Sequence, residues 1–198
     1  PDSPSHTPSS LVSRFIRWLD RRHRARRNAL RTRLAPRWLD SLKRSLEILL
    51  PDLEATGVSL ALENLPSFES VPSESEMLSL LQTFQHPHLR YWHDIGHGIY
   101  REKMGLASQR EWLDTLAPWL AGFHIHDVAP SLEDHLEPGA GIVPFSEYAR
   151  WTLRPIPLVI EVQPGLAPDR LKAGLATLRA AWPDVINPLP PSQQGVPP

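Results

Sequence analysis

The chain has 198 residues, 41% of them hydrophobic, which is enough to bury one core. It has no cysteine, which excludes disulfides, thiolate metal sites and a cysteine nucleophile. No apolar run approaches the roughly 20 residues that span a bilayer, and a formal net charge of -1 names no partner, so a soluble cytoplasmic protein is the expectation.

Pro1 to Ser10 is rich in Pro and Ser and reads as a loop, with His6 in a surface role. Leu11 to Leu34 predicts a helix, with Leu11, Phe15, Trp18 and Leu19 on one face and arginines distributed around the rest. Pro36 suits the first turn of a second helix running to about Ala55, whose core face is Trp38, Leu39, Leu42, Leu46, Leu49 and Leu50. Gly57 stops it, and Val58 to Leu62 form a buried strand ending at Glu63 and Asn64. A loop through Pro66 and Pro72 leads to a helix from Ser73 to about Phe84, signalled by a capping box of Ser73 and Glu76. The next strand, Leu89 to Ile95, is followed by a loop and a helix near Ser108 to Leu116. Then come a strand from Gly122 to Val128, a long polar loop through Gly141 and a helix around Phe145 to Leu153. Pro157 to Val162 is the last strand and Ala167 to Ala181 its helix, while the proline-rich segment after Trp182 is too poor in apolar residues to fold. The expected divisions are a loop and arginine-rich helix over 1–35, a globular domain over 36–182 and a disordered tail over 183–198. Strand and helix alternating four times predict an α/β fold with a parallel sheet and right-handed crossovers.

Each predicted strand ends in a residue able to bind metal: Glu63 after VSLAL, Asp94 with His97 in YWHDIGH, His124 with His126 in GFHIHD, and Glu161 after PLVI. Parallel strands deliver side chains to their carboxyl ends, so matching ends describe one convergent polar site. The two-residue period of a strand puts His124 and His126 on one side. Aiming several carboxylates and imidazoles into a barrel is costly without a partner, and a divalent cation offsets that cost. Trp92 and Phe123 lie beside these residues in sequence; core packing is the simpler role for both, and stacking on a sugar the alternative.

The motifs LALEN, YWHDIGH, GFHIHD, DHLEPGAG and PLVIEV, in that order between Pro36 and Ala181, resemble the xylose isomerase-like TIM barrels, a family of sugar isomerases and epimerases related to apurinic endonucleases. The resemblance implies the C-terminal half of a (β/α)8 barrel, four βα units preceded by two helices. It implies Glu63, Asp94, His124 and Glu161 as metal ligands, with His97, His126 and His135 contacting substrate or supporting the ligands. That ligand set suits Mn2+, Zn2+, Co2+ or Mg2+. The reaction implied is isomerisation or epimerisation of a sugar or sugar phosphate, with Glu63 and Glu161 exchanging protons through a metal-stabilised ene-diolate.

The alternative from the same resemblance is a metal-dependent phosphodiesterase acting on abasic DNA. His97 and His135 fit its further metal site, but the acid paired with His135 would be Glu133 where the nucleases carry aspartate. The arginines surround their helix rather than lining a groove, which speaks against nucleic acid as partner. A non-catalytic barrel fragment is the second alternative. The first residue is Pro1 and the only methionines are Met77 and Met104, so the intact protein is expected to be longer. Otherwise two copies are expected to pair, because a half-barrel leaves two strand edges and one sheet face unpartnered.

Overall fold

The computed structural model describes residues 10–186. The loop expected over residues 1–9, with His6, and the tail from 187 onward lie outside the described residues. The chain divides into two compact units, Pro1–Ser45 and Leu46–Pro198, and helix α1 (Ser10–Thr56) begins in the first and ends in the second.

The two helices expected before the first strand are thus one. Pro36 and Pro51 lie inside it, and both are exposed, where water can satisfy carbonyls left without a helical donor. Trp38 and Leu49, expected in the core, are exposed at 47% and 43%, whereas Leu46 and Leu50 are buried. Gly57 terminates α1 in the left-handed region at φ 69°, its N–H donating to the Leu53 carbonyl.

Strands β1 (Leu60–Glu63), β2 (Leu89–Asp94), β3 (Leu120–Ile125) and β4 (Leu158–Ile160) form one parallel sheet in sequential order. Successive side chains alternate between its faces. Tyr91, His93 and Phe123 point toward the helices, where Tyr91 stacks on Trp112 and His93 meets Gln109. Trp92, Asp94 and His124 point to the other face. On the helical side, α2 (Glu74–Phe84) buries Met77, Leu80 and Leu81, and α4 (Gln109–Leu116) buries Trp112, Leu113 and Leu116. The α2 start is the expected capping box, with the Glu76 carboxylate accepting the Ser73 N–H at 2.7 Å.

Three further segments depart from the pattern read in the sequence. Residues after β2, expected as loop, form α3 (Ile95–Lys103), because the Asp94 carboxylate accepts the His97 N–H at 2.7 Å and caps the helix. The helix expected over Phe145 to Leu153 is a 3-10 turn at Phe145–Tyr148 followed by the short α5 (Ala149–Thr152). Helix α6 (Pro168–Ala181) follows β4, and the expected tail opens with one more turn, α7 (Pro183–Ile186).

Two buried charges hold the loops above the strand ends. Arg101 donates to both Glu74 oxygens, at 2.6 and 2.7 Å, and to the Ser67 carbonyl at 2.8 Å, tying the β1–α2 loop to α2 and α3. Asp127 accepts four backbone N–H groups, from Val128, Gly139, Gly141 and Val143, and so shapes the long loop after β3. A Cβ at Gly141 would collide with the Val128 carbonyl, so this close approach requires glycine.

Candidate metal centre

Glu63 is the last residue of β1, Asp94 the last of β2, His124 lies one residue before the end of β3, and Glu161 directly follows β4. The parallel register places all four at the carboxyl ends of neighbouring strands, and ligand atoms from the four lie within 4.8 Å of one another. The Nδ1 of His124 is the common point, 2.9 Å from Glu63 Oε1, 3.1 Å from Glu161 Oε2 and 3.9 Å from Asp94 Oδ2. One imidazole nitrogen can donate a single proton, so it cannot satisfy three carboxylates. A divalent cation with oxygen and nitrogen ligands matches this donor set.

Asp94 is fully buried while the other three are partly open to solvent. Burial would raise the Asp94 carboxyl, but the hydrogen bond and charge of His126, with the His97 N–H, outweigh it and hold the group below the ordinary carboxylate range. It is therefore ionised at neutral pH, as a ligand must be.

Three histidines surround this cluster. The His97 Nδ1 lies 2.9 Å from the Asn64 carbonyl, with Asp94 Oδ2 and Glu63 Oε1 farther off at 3.6 and 3.7 Å. His135 occupies the left-handed region at φ 57°, with Nδ1 3.2 Å from Asp134 Oδ1 and Nε2 3.8 Å from Glu161 Oε1. His126, expected at the substrate or behind the ligands, is fully buried. Its Nε2 lies 3.0 Å from Asp94 Oδ1, and its Nδ1 accepts the His135 N–H at 2.9 Å. Asp94 raises the His126 pKa against the effect of burial, yet the His135 N–H occupies the nitrogen that a second proton would need. With both nitrogens engaged, His126 orients Asp94 from behind and stacks on His135 at 4.1 Å. Nitrogens of His97, His126 and His135 do fall within 4.8 Å of one another, but only His97 and His135 have a nitrogen not already held by a short hydrogen bond. Glu133 is exposed and belongs to neither group.

Of the two aromatics beside the ligands, Phe123 is fully buried against His93. Trp92 is half-buried and meets His124 edge-on at 5.2 Å.

Sequence reasoning missed a buried polar chain on the far side of Asp94. Asn64 pairs with the Asp94 backbone, the Tyr91 hydroxyl reaches both Asn64 Oδ1 (3.2 Å) and His93 Nδ1 (2.6 Å), and His93 Nε2 lies 3.1 Å from Gln109 Oε1. Burial lowers the His93 pKa to about 4, so the ring is neutral, and burial with the charges of Glu74, Asp94 and Glu63 pushes the Tyr91 phenol up. The only signal in the sequence was polar residues inside a strand otherwise read as apolar.

No curated protein matches the chain. Among solved structures, a D-tagatose 3-epimerase-like protein aligns at TM-score 0.61 and 20% identity, covering 75% of this chain and 55% of that one. A 3-keto-D-glucoside 4-epimerase from E. coli aligns at 0.59 and 16%, with coverages of 72% and 53%. A xylose isomerase domain protein from Planctomyces limnophilus aligns at 0.59 and 21%, with coverages of 75% and 53%. The chain spans little more than half the length of these neighbours, and the likeness is one of fold, a partial TIM barrel. The family model for xylose isomerase-like TIM barrels matches residues 17–181, and the chain belongs to that family.

Proposed function

We propose that the whole protein is a divalent-metal-dependent isomerase or epimerase of a sugar or sugar phosphate. The observation that carries this reading is the convergence of Glu63, Asp94 and Glu161 on Nδ1 of His124, at the strand ends where barrel enzymes place their chemistry. Two of the neighbours in fold are named as sugar epimerases or epimerase-like, which supports the substrate class.

A bound Mn2+, Zn2+, Co2+ or Mg2+ ion would draw electron density from a carbonyl and the adjacent hydroxyl, acidifying the C–H between them. Glu63 and Glu161 reach the site from the two opposite edge strands. One carboxylate removes the carbon-bound proton and leaves an ene-diolate; a proton returned from the other carboxylate on the opposite face inverts the centre, with no net redox change. Asp94, ionised and buried, fixes the negative side of the site, and His97 and His135 are placed to hydrogen-bond substrate hydroxyls.

The second reading is phosphodiester cleavage with more than one metal, favoured by the neighbouring nitrogens of His97 and His135. The deciding experiment incubates the whole protein, loaded with Mn2+ or Zn2+, with a panel of ketoses and with abasic-site DNA. Sugar interconversion with solvent deuterium incorporated at carbon is expected, and DNA scission without sugar turnover would reverse the choice. The variant His135→Ala adds a second handle, because it should cost a single-metal isomerase one substrate hydrogen bond, read mainly as a raised KM, and a multi-metal nuclease most of its rate.

A further inference from the structure

Asn64 directly follows Glu63 and is completely buried, yet it is neither a candidate ligand nor part of the apolar core. Backbone pairing of β1 with β2 stops at Glu63 opposite Trp92, two residues short of Asp94. The Asn64 side chain continues it. Its Nδ2 donates to the Asp94 carbonyl at 2.9 Å, and its Oδ1 accepts the Asp94 N–H at 2.8 Å, so one amide satisfies both backbone groups of a buried residue that the β1–β2 ladder no longer reaches. The Asn64 backbone carbonyl, meanwhile, faces Nδ1 of His97 at 2.9 Å. A carbonyl has no proton to give, so the imidazole must donate there, and a neutral His97 then offers Nε2 as an acceptor.

We propose that Asn64 is the positioning residue of this centre: its amide fixes the backbone of Asp94 and its carbonyl fixes the ring state of His97. One residue thereby sets where the buried carboxylate stands and which nitrogen the neighbouring histidine presents. Only asparagine meets both demands on the side chain. Aspartate would turn an acceptor toward the Asp94 carbonyl, glutamine is one methylene too long, and alanine would leave a buried N–H and C=O without partners. The role in metal binding rests on the functional reading given above, whereas the role at His97 does not.

The test compares the whole wild-type protein with Asn64→Asp and with Tyr91→Phe, which removes another member of the same buried chain without touching Asp94. Co2+ is the probe. Asn64→Asp should weaken Co2+ about ten- to a hundredfold and alter its visible ligand-field spectrum, the range typical when groups supporting metal ligands are lost. Tyr91→Phe should lower thermal stability with Co2+ affinity and spectrum little changed. If Asn64→Asp lowers stability as Tyr91→Phe does and leaves Co2+ affinity and spectrum at wild-type values, Asn64 is merely structural and the proposal fails. A wild-type protein that binds no Co2+ sinks the metal reading instead, and the proposal is then decided by 15N NMR of His97. There the wild type must show protonated Nδ1 and acceptor Nε2, and the reverse tautomer overturns it. The same spectrum decides the matter should Asn64→Asp not fold.

Discussion

Burial sets the ionisation of His93 more than any partner does. The free imidazole titrates near 6.5 and the buried ring at about 4, so between those values the unfolded chain binds a proton that the folded one refuses. The associated stability is complete above about pH 6.5 and is lost as pH falls toward 4, amounting to about 3 kcal/mol. Asp94 acts in the same direction at lower pH, because its lowered carboxyl favours the fold above the ordinary carboxylate range and loses that advantage on protonation. Urea unfolding at pH 7 and pH 4.5 checks the first effect: His93→Gln should narrow the gap between the two stabilities. Asp127 gives a second expectation at this scale. Asp127→Ala strands four N–H groups within the long loop, two of them on buried residues, and should cost about 3 kcal/mol or more. Denaturant melts measure the loss, and hydrogen exchange should show residues 128–143 deprotected first.

The elements are joined to the site by close approaches. Helix α3 starts at Asp94 and passes so near His126 that a Cβ on Gly96 would overlap the imidazole ring. Gly96→Ala must therefore displace either the helix or His126, and with it the hydrogen bond to Asp94. A loss of about 1–3 kcal/mol is expected for such overpacking, read as a lower melting temperature, together with weaker divalent-cation binding in titration calorimetry. A variant that melts lower yet binds cations as before would show that α3 moves without disturbing Asp94. Much at this scale was legible in the sequence. The four strands, the capping box of α2 and the ends of α4 and α6 follow from apolar runs and terminal residues. The start of α3 was hidden because Asp94 reads equally as a ligand and as a cap, and it does the capping at the very strand end where the candidate ligands gather.

For the molecule as a whole, the metal site proposed at the four strand ends would link cation binding to folding. A cation that binds the folded state alone stabilises it by mass action, about 2.7 kcal/mol at a hundred times its dissociation constant. Zn2+ or Mn2+ should raise the melting temperature, EDTA should reverse the rise, and the double variant Glu63→Gln with Glu161→Gln should abolish it. Strands β1 and β4 each pair on one side only among the described residues, and the chain spans little over half of its neighbours in fold. No helix among the described residues is long and apolar enough to cross a membrane.

From the sequence alone came the residue types and their order: acids and histidines at the ends of apolar runs, spaced as βα units space them. Strand periodicity is local, so it can be read one segment at a time. What only the tertiary structure decided is which atoms meet. Glu63 and His124 lie 61 positions apart, Asn64 and Asp94 thirty, and His126 reaches Asp94 across 32. Those partners are chosen by sheet register and by the need to satisfy every polar group taken out of water, and of the two places expected for His126, at the substrate or behind the ligands, that choice sets its Nε2 against Asp94.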